Sequence, residues 1–149
     1  MASKRELILQ NLKTTVEAII AGATYNNTVK FCTRNPIDVD EISDDQIPFC
    51  IIDDIRNSTE ILTPLTTKDI NSIFELDIIA VYRAASNLST GANSLVEDFK
   101  IAIYTDVSRN NNADLTHITS VTMEKTEKKN TVVITFRITV DYIYESLDP

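Results

Sequence analysis

The chain has 149 residues, 43% of them apolar and 24% charged, with a net charge of −8. That length suits one domain with a real core, and the composition is globular, not disordered. The acidic balance argues against a grip on nucleic acid, which needs a basic face. Two glycines, Gly22 and Gly91, are too few for phosphate-cradling loops.

From the N-terminus, Ser3 followed by Glu6 forms a capping box, and the spacing predicts a helix over 4–21. Ile8, Leu12, Val16, Ile19 and Ile20 make its apolar stripe, and Gly22 is the expected stop. Lys4, Arg5, Glu6 and Lys13 break up the first apolar cluster, so no signal peptide is expected there. A short strand is predicted over 29–33. It is followed by an acidic stretch with Asp38, Asp40, Glu41, Asp44 and Asp45. That stretch reads as a solvated loop, because the central glycine and the spacing of a calcium loop are missing.

The continuous apolar run at 48–53 has the pattern of a strand covered on both faces. Residues 54–72 are polar, include Pro64, and read as an exposed connection. A long strand is predicted over 74–83. A second helix follows from Ser89 or Thr90 to Tyr104, with Leu95, Phe99, Ala102 and Ile103 on its buried stripe. Arg109 to Asn112 reads as a loop, since short amides compete for backbone hydrogen bonds. The chain closes with a predicted hairpin, 118–126 and 131–144, turning at Glu127, Lys128, Lys129 and Asn130. The fold class expected is α+β: one domain over 1–149, with two helices on one face of a largely antiparallel sheet and a long C-terminal β-hairpin.

The last strand is the most regular segment. Val132, Ile134, Phe136, Ile138, Val140, Tyr142 and Tyr144 fall on one side, with Thr131, Thr135, Arg137, Thr139 and Asp141 on the other, where Val133 and Ile143 are the apolar exceptions. Such a strand is about 46 Å long, against a diameter of about 38 Å for a compact globule of this length. The expectation is that it overhangs its own domain and is covered by a neighbouring subunit. Ile138, Tyr142 and Tyr144 are the candidate apolar contacts, although core packing also accounts for Tyr142. Lys125, Lys128 and Lys129 at the hairpin tip read most simply as solubilising charge and also suit a salt-sensitive contact with a partner.

Motifs for catalysis are sparse. The single histidine, His117, has no partner visible in sequence, and neither a Gly-x-Ser-x-Gly elbow, a His-Glu-x-x-His nor a Cys-x-x-Cys occurs. Asp53 and Asp54, after the apolar run, are the one place where Mg²⁺ could be held, although adjacent strand residues point to opposite sides. Cys32 and Cys50 lie in apolar strand-like runs and read as buried free thiols, with a disulfide as the alternative. No apolar run approaches the roughly 20 residues of a membrane span.

The layout resembles the tail terminator (tail completion) proteins of tailed bacteriophages. The resemblance is carried by the N-terminal amphipathic helix and by Gln46-Ile47-Pro48-Phe49-Cys50-Ile51-Ile52-Asp53-Asp54, similar to that family's proline, apolar strand and acidic end. It continues through Ala92-Asn93-Ser94-Leu95-Val96-Glu97-Asp98-Phe99-Lys100, similar to its second helix, and the closing strand around Thr135–Tyr142. The long polar 54–72 connection departs from it.

The resemblance implies a structural virion protein, not an enzyme, with no cofactor or metal. It would form a homo-oligomeric ring, expected to be a hexamer, that caps the tail tube and offers a docking surface to the head–tail connector. Its expected partners are further copies of itself, the tail tube protein, the connector protein and, in a contractile tail, the sheath protein. DNA would pass through a lumen to which Asp38, Asp40, Glu41, Asp44 and Asp45 are assigned, without specific binding. Expected localisation is the virion neck, with assembly in the reducing host cytoplasm and no membrane association. A head-completion, tube or baseplate component, or a small Mg-dependent enzyme using Asp53 and Asp54, are the alternatives.

Overall fold

A computed structural model describes residues 2–145. Helix α1 (Lys4–Glu17) begins as the sequence predicts, with the Ser3 hydroxyl accepting from the Glu6 N–H at 3.1 Å. It ends four residues short of the predicted Ala21. The Ile19 N–H turns back to the Val16 carbonyl, tightening the last turn. The chain then extends, with Val29 N–H donating to Ile19 O and Ala21 N–H donating to Thr28 Oγ1. Ile8, Leu9, Leu12, Val16 and Ile19 are buried, whereas Ile20, expected on the stripe, is 61% exposed because the helix has already stopped.

The sheet holds six strands: β1 (Phe31–Thr33), β2 (Phe49–Asp53), β3 (Thr59–Pro64), β4 (Asp69–Arg83), β5 (Leu115–Lys125) and β6 (Thr131–Glu145). Their order is β1-β2-β4-β6-β5, with β3 paired to the far end of β4. Only the β1–β2 pair is parallel; the other pairs are antiparallel. Helix α2 (Leu88–Thr105) lies between β4 and β5 in sequence. Its Leu95, Phe99 and Ile103 join the buried side of α1 over Phe74, Leu76, Ile78, Ile134, Phe136, Ile138 and Val140. The Phe99 and Phe136 rings stack at 4.8 Å between centroids. Each such side chain stabilises the fold by about 1.5–3 kcal/mol. Helix and sheet approach closely at Gly91, where a Cβ would collide with the Tyr82 ring. The fold is therefore α+β, with both helices on one face of a mostly antiparallel sheet and the long β5–β6 hairpin at one side.

Two expectations change. The 54–72 segment is not simply a connection: β3 forms there, and β4 starts at Asp69, five residues before the predicted Phe74. As a result β6 does not overhang. It is an interior strand whose 15 residues all pair with β4, from Asp69↔Glu145 to Arg83↔Thr131. Its apolar face is covered within the chain as far as Tyr142, and only Tyr144 emerges.

The second face of the sheet is covered in part. The 38–46 stretch carries two short 3-10 turns, Val39–Glu41 and Asp44–Gln46, and tucks Ile42 and Ile47 against Phe49, Ile51 and Val81. Farther along this face the cover gives way to charge. Arg137 on β6 reaches Asp77 and Glu75 on β4, each at 3.1 Å. These cross-strand ion pairs satisfy groups that helices would otherwise have to cover.

Candidate assembly surface

The β3–β4 hairpin carries a group of exposed apolar side chains. Five of the six β3 residues are exposed and only Glu60 is half-buried. Ile61, Leu62 and Leu65 are 55%, 58% and 55% exposed, and Tyr144 on the neighbouring end of β6 is 46% exposed. Ile61 and Leu62 are consecutive on a strand, so both faces of the hairpin present an aliphatic side chain. Among the described residues β3 pairs with β4 alone, which leaves its outer backbone edge open. An open edge with apolar side chains on both faces is a template for another chain.

Glu60 anchors this hairpin. Its carboxylate accepts hydrogen bonds from the Ser72 and Tyr142 hydroxyls and from Arg5 Nη1 at 3.3 Å. Burial pushes its pKa up, but these hydroxyls and the Arg5 charge outweigh that and hold it below the ordinary value. Tyr142 moves the opposite way: burial, then the adjoining Glu60 carboxylate, raise its hydroxyl. The Arg5 guanidinium lies 4.1 Å from the centre of the Phe74 ring, tying the first turn of α1 to the base of the hairpin. Glu60, Leu62, Tyr142 and Tyr144 together line a shallow depression. Tyr142 is thus a buried hydrogen-bond donor to Glu60, and Ile138 is core; of the three apolar contact candidates only Tyr144 reaches the surface.

At the other end of β6, the hairpin tip and the acidic stretch come together. Lys128 Nζ donates to the Asp40 carbonyl at 3.4 Å, and Asp44 pairs with Arg83. Asp38, Asp40, Glu41, Asp44 and Asp45 are all exposed, as are Lys125 and Lys129. The tip lysines therefore stand beside an acidic rim of their own chain, and the Lys128 ammonium is used in holding it.

Asp53 and Asp54 separate. Asp53 is buried, caps its own turn by accepting from the Ile55 and Arg56 N–H groups at 3.0 Å, and pairs with Arg56 Nε at 2.6 Å. Burial alone would raise its pKa; the two backbone donors and the Arg56 guanidinium reverse that and leave it lowered. Asp54 turns the other way, 4.0 Å from both Arg5 and Arg34. Among the described residues no three His, Cys, Asp or Glu side chains converge as a metal site requires. His117 is exposed on β5, its Nδ1 3.0 Å from the Tyr104 hydroxyl, which also accepts from the Ile118 N–H.

Two buried ionic groups escaped the sequence reading. Asp98, 0% exposed on α2, accepts from the Asn26 and Asn27 backbone N–H groups and from the Asn27 amide at 2.8–3.2 Å. It clamps the loop after α1 onto α2. Arg109 sits in the predicted loop with a left-handed backbone, φ 48°, and folds its guanidinium under the end of α2, donating to the Ile103 and Asp106 carbonyls. A cation there answers the negative end of the helix. Neither has a local sequence signal, because each charge is matched by distant or backbone groups.

No helix among the described residues is long and apolar enough to cross a membrane. No protein-family model and no curated protein matches this chain.

Proposed function

We propose that this protein is a structural ring component of a phage tail, of the terminator kind, which caps the tail tube and presents a docking surface to the head–tail connector. The observation that carries the reading is the β3–β4 hairpin: an open strand edge with Ile61, Leu62, Leu65 and Tyr144 exposed around it. β5, the other long edge strand, pairs with β6 alone among the described residues and exposes Leu115 and Met123. A chain with unlike open edges suits head-to-tail contact between copies, the kind of contact that closes into a ring when its rotation closes. The uncovered surface lies on β3 and β5 and not on the last strand, which is paired along its whole length.

Charge supports the same reading. A ring whose subunits each carry −8 would repel DNA from its inner wall and let it pass. The exposed acidic rim at 38–45 is the segment assigned to that lumen. The hexameric state, the tube, connector and sheath contacts and the virion location belong to this proposal.

Mixing the purified protein with tail tube protein and imaging negatively stained particles tests it. Tubes of defined length ending in a ring-shaped cap are expected. Tubes of uncontrolled length with bare ends would contradict it, and self-polymerisation into long tubes would instead favour a tube component.

A further inference from the structure

Cys32 and Cys50 face each other in register. β1 and β2 run parallel with Cys32↔Cys50 as a directly paired position. Neighbouring strands lie about 4.8 Å apart, inside the Cα separation of about 4.4–6.8 Å that a disulfide spans. Both side chains turn to the helix face and join the same core cluster. Both are free thiols.

Their surroundings differ. Cys50 is wholly enclosed, and burial pushes its thiol well above the ordinary range. Cys32 is 8% exposed and lines an open groove of about 520 Å³ between α1 and the outer edge of β1. Lys13, Glu17 and Lys30 share that groove, with Lys13 held by Glu17 at 3.3 Å. A small oxidant entering this groove therefore meets Cys32 and not Cys50.

We propose that Cys32 and Cys50 form a redox-modification site for small hydroperoxides, in which Cys32 is attacked first and Cys50 resolves it into an intramolecular disulfide. In the first step the Cys32 thiolate displaces hydroxide from hydrogen peroxide, giving a sulfenic acid and reducing the peroxide. In the second, the Cys50 sulfur attacks the Cys32 sulfur. An S–S bond forms, the S–O bond breaks, and the Cys50 proton leaves with the hydroxyl as water. One peroxide oxidises two thiols. The enclosed Cys50 resists deprotonation, so it enters the second step as the thiol. The product ties β1, which has only three paired residues, covalently to β2.

The test is peroxide treatment of the folded, pre-reduced protein, alkylation of remaining thiols, and non-reducing peptide mapping. Thiol content should fall from two per chain to none, with a single Cys32–Cys50 linked peptide pair, no linked dimers, and recovery of both thiols by dithiothreitol. Cys50→Ala should leave a Cys32 sulfenic acid that dimedone traps. Cys32→Ala should leave Cys50 at least about tenfold slower to react than the wild-type pair, as its burial requires. If Cys50→Ala does not fold, the wild-type map decides alone. Three results would overturn the proposal: thiols that react only in urea, Cys32 oxidised to sulfinic acid with Cys50 still free, or disulfide-linked dimers.

Discussion

The two ends of β4 are built on different principles. From Asp77 to Val81 the strand lies between β2 and β6, with α1 and α2 on one face and the 38–46 turns on the other near β2. From Ile70 to Glu75 it lies between β3 and β6, and its neighbours Ile61, Leu62 and Tyr144 are exposed. One end is closed by the chain itself. The other keeps apolar surface that a single copy does not cover. Stability should reside in the first, and assembly in the second.

Truncation in the closed end should have the largest effect. Phe136→Ala removes a ring stacked on Phe99 and should cost about 3–5 kcal/mol, read as a lower midpoint in urea unfolding. Next comes the Asp98 clamp. Asp98→Ala leaves a buried site without its acceptor for two part-buried backbone donors and should cost about 1–3 kcal/mol, with Asp98→Asn costing less because one acceptor oxygen remains.

Acid should act on the carboxylates that turns and ion pairs hold charged. Glu6, Asp53, Glu60 and Asp106 all have lowered values in the folded chain. A lowered folded value means the unfolded chain binds protons first. The stabilisation is therefore complete above the unfolded carboxylate range, about pH 4, and is lost as pH falls through the folded values. Melting temperature should be flat near neutrality and fall below about pH 4.5, and Asp53→Asn should shallow that fall. At the open end, Leu62→Asp should change stability by less than about 0.5 kcal/mol, since the side chain is largely in water already. A larger loss would mean that the hairpin belongs to the closed core after all.

What could be read in the sequence follows the same division. α1, α2, β2 and β6 were legible because each buries a regular stripe or a continuous apolar run. β3 was not, because a strand with neither face covered has no alternation to detect; the β-branched Thr59, Ile61 and Thr63 were the available hint. The early start of β4 was hidden by Ser72. That residue is fully buried in line with Phe74 and Leu76, yet polar, and only the Glu60 carboxylate from β3 makes it tolerable there. Missing β3 and Ser72 made β6 look too long for its partners. The candidate contacts suffered accordingly: Ile138 and Tyr142 are interior, Tyr144 is at the surface, and Leu62 and Leu65 lay in the segment read as a connection.

The central claim is that the exposed hairpin serves assembly and not folding. Native mass spectrometry of the wild type beside a Leu62→Asp, Leu65→Asp variant, with urea unfolding of both, tests it most directly. Closed rings for the wild type and equally stable monomers for the variant are expected. Rings of unchanged size from the variant, or a wild type that remains a monomer at every concentration even with tube protein present, would contradict it.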